Sequence, residues 1–143
     1  MNKIFYHGSP TQNIKSFNSN SFITPNKSFA ACYGVLWSDG EAYQINHNGR
    51  IYFAIEDESK LSNSCSLYSI KVDPRLIKKY NSDEYILSTR KYNILDEYQY
   101  SSFQKMLETN GVILLTMDVF KSKFHKYIKE SCGIFESVEF LND

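Results

Sequence analysis

Lys3-Ile4-Phe5-Tyr6-His7-Gly8-Ser9-Pro10 reads as a strand of β-favouring residues halted by a glycine, a serine and a proline. Residues 13–20 are polar and loop-like, and Ser21-Phe22-Ile23-Thr24 makes a short second strand stopped by Pro25-Asn26. Ser28 to Val35 then carries Phe29, Cys32 and Val35 at three-residue spacing, which predicts a short helix with one apolar face. Turns are expected at 38–40 and 46–49. Strands are expected at Arg50–Ile55 and Leu67–Val72, the second alternating Leu67, Ser69 and Lys71 against Tyr68, Ile70 and Val72. Asp73-Pro74 has the cap-then-proline order of a helix start, and a helical turn is expected from there to about Tyr80.

Further along, Glu84–Ser88 and Lys91–Leu95 are expected strands, and Ser101–Glu108 a helix ended by Asn110-Gly111. Val112–Thr116 reads as a buried strand, Asp118–Lys129 as a helix with Phe120, Phe124, Tyr127 and Ile128 on one side, and Ser137–Leu141 as a terminal strand. Short strands mixed with short helices, without βαβ alternation, predict an α+β fold with a mostly antiparallel sheet core. At 143 residues, a single domain spanning 1–143 is expected.

Lys plus Arg number 16 and Asp plus Glu 16, a formal net charge of zero, which excludes a general cationic coat for nucleic acid but not a local basic patch. Aromatic residues make up 15% of the chain, with eleven Tyr and ten Phe. No apolar run approaches the roughly 18 residues of a membrane span, and no signal-peptide core follows Met1, so a cytoplasmic protein without a membrane partner is expected. Cys32, Cys65 and Cys132 have neither disulfide-framework nor zinc-ligand spacing, and no two of His7, His47 and His125 are spaced as a ligand pair, so no metal is expected.

His7 is placed where a strand ends against Gly8, so its side chain can face a ligand while the backbone approaches closely. Read alone, a histidine packed beside Phe5 and Tyr6 is the simpler account. No Gly-x-Ser-x-Gly elbow and no phosphate-binding glycine loop occurs. Cys32 falls on the apolar side of its helix, where an inert thiol is the default. Two acidic triplets stand out, Asp83-Glu84-Tyr85 and Asp96-Glu97-Tyr98. Glu84 precedes the stronger strand, Tyr85-Ile86-Leu87, and Glu97 the less apolar Tyr98-Gln99-Tyr100.

Taken in order, Tyr6-His7-Gly8-Ser9, then Phe22-Ile23-Thr24-Pro25 with Tyr33 eleven positions after Phe22, then Glu84-Tyr85-Ile86-Leu87 resemble the motifs of the ADP-ribosyltransferase superfamily in its His-Tyr-Glu branch. That branch holds diphtheria-type toxins and poly(ADP-ribose) polymerases. Small bacterial and phage members are similar also through Ala30-Ala31 and Trp37-Ser38-Asp39-Gly40. The resemblance covers roughly residues 3–95. It implies a split-sheet ADP-ribosyltransferase-like fold and NAD as substrate, cleaved at the nicotinamide–ribose bond by a mono-ADP-ribosyltransferase or NAD glycohydrolase of toxin or phage-effector type.

Such cleavage passes through an oxocarbenium-like ribose, so a carboxylate beside the ribose hydroxyl stabilises the developing charge. By the resemblance, Glu84 supplies that carboxylate and His7 orients NAD through a ribose hydroxyl. Gly8 offers its backbone to the nicotinamide amide, Ser9 helps position the ribose, and Phe22 and Tyr33 sandwich the nicotinamide ring. Two positions depart from the pattern: Phe22 stands where the branch usually has Tyr, and Ala30 where it often has Ser. Both departures remove polar contacts, so a catalytically inactive module that binds a nucleotide or a protein is the alternative. The acceptor, whether protein, nucleic acid, small molecule or water, is left open.

Overall fold

The computed structural model describes residues 2–34, 42–55, 64–128 and 137–138. In chain order the elements are β1 (Lys3–Ser9), β2 (Ser21–Ile23), α1 (Lys27–Gly34), β3 (Ala42–His47), β4 (Arg50–Ile55), β5 (Cys65–Val72), a 3-10 turn (Pro74–Leu76), β6 (Lys78–Lys79), β7 (Tyr85–Leu87), β8 (Tyr92–Tyr100), α2 (Phe103–Thr109), β9 (Val112–Leu114), α3 (Met117–Ile128) and β10 (Ser137–Val138). This is a small α+β fold with mostly antiparallel sheets and short helices.

β5 is the axis of the molecule. It pairs antiparallel with β1 from Lys3↔Val72 to Ser9↔Ser66, and on its other edge with β8, with a register shift between Ser69 and Ile70. A second ribbon, β2-β7-β6, meets the free edge of β1 at one bridge, where Tyr6 and Thr24 exchange both backbone hydrogen bonds (2.7 and 3.0 Å). The strand order across this bridge is therefore β8-β5-β1-β2-β7-β6. Another sheet, β10-β3-β4-β9, carries antiparallel β3–β4 flanked by two parallel pairs.

Two-residue alternation sends each face of these strands into a different core. Cys65 and Leu67 of β5, with Ile51, Phe53 and Ile55 of β4, close on Phe29 and Cys32 of α1 and Met106 and Leu107 of α2. The helices are thus wedged between the two sheets. On the opposite face, Phe5, Ile70 and Val72 pack with Ile23 and Leu87, covered by Phe17 of the 10–20 loop. A third cluster sets Phe120 and Phe124 of α3 against Ile45 and Ala54. Because β5 is covered on both faces, it reads as a buried strand rather than a half-exposed one.

Several expected elements differ in kind or extent. The helical turn expected from Asp73 to Tyr80 is only the 3-10 turn Pro74–Leu76, capped by Asp73 whose carboxylate accepts from the Arg75 amide; the chain then extends into β6. The pairing of Lys78 with Ile86 and Lys79 with Tyr85 overrides the local helical signal. β3 has no counterpart in the sequence reading, since its inward residues include Gln44. The turn expected at 46–49 is its hairpin with β4, in which Asn48 (φ 53°) and Gly49 (φ 77°) both adopt left-handed backbone, as a type I′ turn requires. The strand expected to end at Leu95 runs on to Tyr100.

α2 follows its signals. Ser102 caps it by accepting from the Lys105 amide, and Gly111 (φ 80°) ends it. Trp37 to Gly40 and Cys132 lie outside the described residues, as do the side chains of Tyr33, His125, Tyr127 and Ile128. No helix among the described residues is long and apolar enough to cross a membrane.

Candidate functional site

The three strands that carry the sequence motifs are neighbours. β1 holds His7, β2 holds Phe22, and Glu84 stands immediately before β7; the spatial order is β1-β2-β7. β2 leads through Pro25 into α1, which contains Tyr33 and packs on β1.

Register fixes which face each side chain takes. Tyr6 opposes Thr24, and Ile23 opposes Tyr85, so Thr24 is level with Glu84. Tyr6, Thr24 and Glu84 form one row on the face covered by α1, and Phe22, Ile86 and Lys78 form the next. His7, one residue past Tyr6, starts from the opposite face. It faces Phe17 (ring centroids 4.7 Å apart) and Tyr68 (6.4 Å).

Beyond the Tyr6–Thr24 bridge the two ribbons splay, and the His7 ring spans the split. Its Nδ1–H donates to the Phe22 carbonyl at 2.7 Å, an assignment that follows from the carbonyl being an acceptor only. Burial lowers the pKa of His7 below its ordinary 6.5, outweighing the opposing effect of that hydrogen bond. The imidazole is therefore neutral near pH 7, with Nε2 as an acceptor.

The neighbouring motif residues divide between fold and site. Gly8 is buried opposite Leu67, and Ser9 Oγ accepts from the Thr11 amide at 3.0 Å, closing the turn that leaves β1. The Phe22 ring is 39% exposed and stands edge-to-face against Tyr80 at 5.1 Å. It lines a groove of about 710 Å³ with Leu76, Ile77 and Ile86. Glu84 is buried; its Oε1 accepts from Asn81 Nδ2 at 2.6 Å, and Asn81 Oδ1 accepts from the Glu84 amide at 2.8 Å. The 81–83 turn thus fixes where the carboxylate enters the sheet. Ala30 is 1% exposed and belongs to the core under α1.

Glu97, the carboxylate of the second acidic triplet, lies mid-strand in β8 rather than at a strand end. Register sets His7, Tyr68 and Glu97 side by side across β1, β5 and β8. Glu97 Oε2 accepts from the Asn13 amide (2.9 Å), Ser66 Oγ (2.7 Å), Gln99 Nε2 (3.0 Å) and the Tyr68 hydroxyl (3.3 Å). Burial works against the ionised form, but these donors outweigh it and hold the carboxyl below its ordinary range. The single proton of the Tyr68 hydroxyl is shared between Glu97 and the nearer Thr11 O (2.9 Å), and the hydroxyl oxygen accepts from the Ile14 amide. Burial raises its pKa first, and the Glu97 charge adds to that.

Glu97 and Tyr68 together pin the 10–20 loop over His7. Gln12 Nε2, donating to Cys65 O, and the Phe17 amide, donating to Tyr92 Oη, complete the anchoring. Sequence reasoning did not find this network. Its only local signal is the acidic triplet itself.

A cavity of about 830 Å³ between residues 14–19 and β8 is lined in part by Glu97 and Phe17, but by none of His7, Phe22 and Glu84. Cys32 and Cys65 are buried; desolvation raises both thiols, that of Cys65 to about 11, so neither supplies a thiolate near neutral pH. Among the described residues no three His, Cys, Asp or Glu side chains gather as a metal site would need.

The lowered His7 pKa makes stability depend on pH. Below pH 6.5 the unfolded chain takes up this proton more readily than the folded one, so stability falls as pH falls. Below the ordinary 4.5 of Glu97 its carboxyl adds a further loss of the same sign. Urea unfolding at pH 7.5 and 5.5 is expected to show the first loss, and His7→Asn, whose amide still reaches the Phe22 carbonyl but does not titrate, is expected to flatten it. An unchanged slope in that variant would contradict the assignment.

Comparison with known proteins returns nothing: no family model, curated protein or solved structure matches the chain.

Proposed function

We propose that the protein cleaves the nicotinamide–ribose bond of NAD, as a mono-ADP-ribosyltransferase or NAD glycohydrolase with an ADP-ribosyltransferase-like arrangement of its motif strands. The observation that supports this reading most is the adjacency of β1, β2 and β7. Residues scattered between positions 6 and 87 of the sequence are carried on three neighbouring strands, His7 starting from the face opposite Phe22 and Glu84, with the helix that carries Tyr33 packed on β1.

In this reading His7 Nε2 accepts from a ribose hydroxyl, its ring held by the Nδ1 bond to Phe22 O. Gly8 and Ser9 border the ligand at the strand end. The exposed Phe22 ring stacks on nicotinamide, with Tyr33 as the second ring; such a stack is worth about 0.5–1.5 kcal/mol beyond burial. Glu84, held by the Asn81 turn, stabilises the positive charge that develops on the ribose as nicotinamide departs. Its burial lowers the local dielectric, which strengthens that interaction.

One observation favours a second reading, a nucleotide-binding module without turnover. Buried Ala30 offers no polar contact where a serine hydroxyl is expected, and Phe22 brings a ring without a hydroxyl. Nicotinamide release from NAD, followed by chromatography, separates the two. Release by the purified protein supports the enzyme; binding without release supports the module; neither binding nor release overturns both.

A further inference from the structure

Three of the large apolar side chains most exposed among the described residues gather at the β6 end of the sheet: Phe22 (39%), Leu76 (40%) and Tyr80 (60%). Phe22 and Leu76 line the 710 Å³ groove together with Lys78, and the Tyr80 ring stands edge-to-face against Phe22. Lys78 lies level with Ile86 on the Phe22 face, whereas Lys79, level with Tyr85, starts from the opposite face of the edge strand.

Neither lysine has an ion pair, whereas the carboxylates around them are engaged in their own turns. Asp73 is bonded by Arg75 Nε and Nη2, Asp83 accepts from Ser82 Oγ, and Glu84 accepts from Asn81. Exposed rings beside an unpaired cation, on an otherwise charge-balanced chain, are the two components of a single-strand platform: bases stack on the rings and a phosphate meets the lysine.

The geometry points to single-stranded nucleic acid as the occupant of this groove, with a base stacked on Tyr80 beside it and a backbone phosphate at Lys78. A duplex keeps its bases stacked on one another and so cannot offer a face to Tyr80. A protein partner would use the apolar surface but has no need of the lysine. The surface borders the proposed NAD site at Phe22, yet its occupancy needs no NAD, so the two readings stand or fall separately.

The test is fluorescence anisotropy of a labelled 12-nucleotide single strand titrated with the full chain at several salt concentrations. Binding is expected, with a log–log salt slope of about −0.7 for one phosphate contact. Lys78→Gln is expected to remove most of that slope. Tyr80→Ala is expected to weaken binding about tenfold, and Tyr80→Phe to retain it, since the ring alone stacks. Tyr80 is largely exposed, so loss of fold does not confound the variant, and circular dichroism checks this. No binding, binding as tight to the matching duplex, or binding indifferent to Tyr80→Ala would overturn the assignment.

Discussion

Glu84→Gln is expected to lower nicotinamide release by about 100-fold or more while the protein still folds and still binds NAD. Removing one preorganised electrostatic contact to a transition state costs about 10²–10³ in turnover. Glutamine keeps the size of the side chain and can still accept from Asn81 Nδ2, so the turn that seats residue 84 survives. What is lost is the charge opposite the oxocarbenium-like ribose. The effect therefore belongs in kcat, with a KM close to that of the unchanged protein.

Glu97→Gln is expected to give the converse pattern. This carboxylate gathers four donors on one oxygen, two of them the Asn13 amide and the Ser66 hydroxyl. A neutral amide oxygen in the place of Oε2 still accepts, but weakens each of these charge-assisted bonds. The expected cost is about 1–3 kcal/mol of stability, read as a lower urea midpoint with an unchanged slope. The 10–20 loop should loosen, and amide exchange at Asn13 and Ile14 should quicken. Nicotinamide release per folded molecule should remain within a few-fold. If Glu97→Gln abolished release while Glu84→Gln spared it, the catalytic carboxylate would be the one in the His7–Tyr68–Glu97 row.

The residues legible from sequence are those whose local chemistry and tertiary role agree. The close of β1 near Gly8-Ser9 and the stop of α2 at Asn110-Gly111 came from signals within a few positions, whereas the alternation of β5 hid that both of its faces are buried. β8 was only half legible. As an edge strand it alternates weakly, and Asp96, Glu97 and Gln99 interrupt its apolar rhythm, so only pairing with β5 fixes its length. The segment after Asp73 carried a true helix-start signal, but pairing with β7 drew it out as a strand after one turn.

For the site, the place of His7 on the first strand was readable, but the strand does not end at Gly8: it runs two residues past His7, because Gly8 and Ser9 pair with Leu67 and Ser66 of β5. The Nδ1 bond of His7 depends on a carbonyl fifteen residues away, and its neutral state on burial. The Glu97 network was not readable, because its donors at Asn13 and Ser66 are 84 and 31 residues distant. No local pattern encodes a meeting at that range.

The claim at the centre of this account is that the splayed edge between β1 and β2 is an NAD site. Calorimetric titration of the Glu84→Gln protein with NAD tests it most directly, because the ligand stays intact during the measurement. The account predicts saturable one-site binding that His7→Ala and Phe22→Ala each weaken. Absence of heat for NAD, ADP-ribose and nicotinamide alike, in protein shown to be folded, would contradict it.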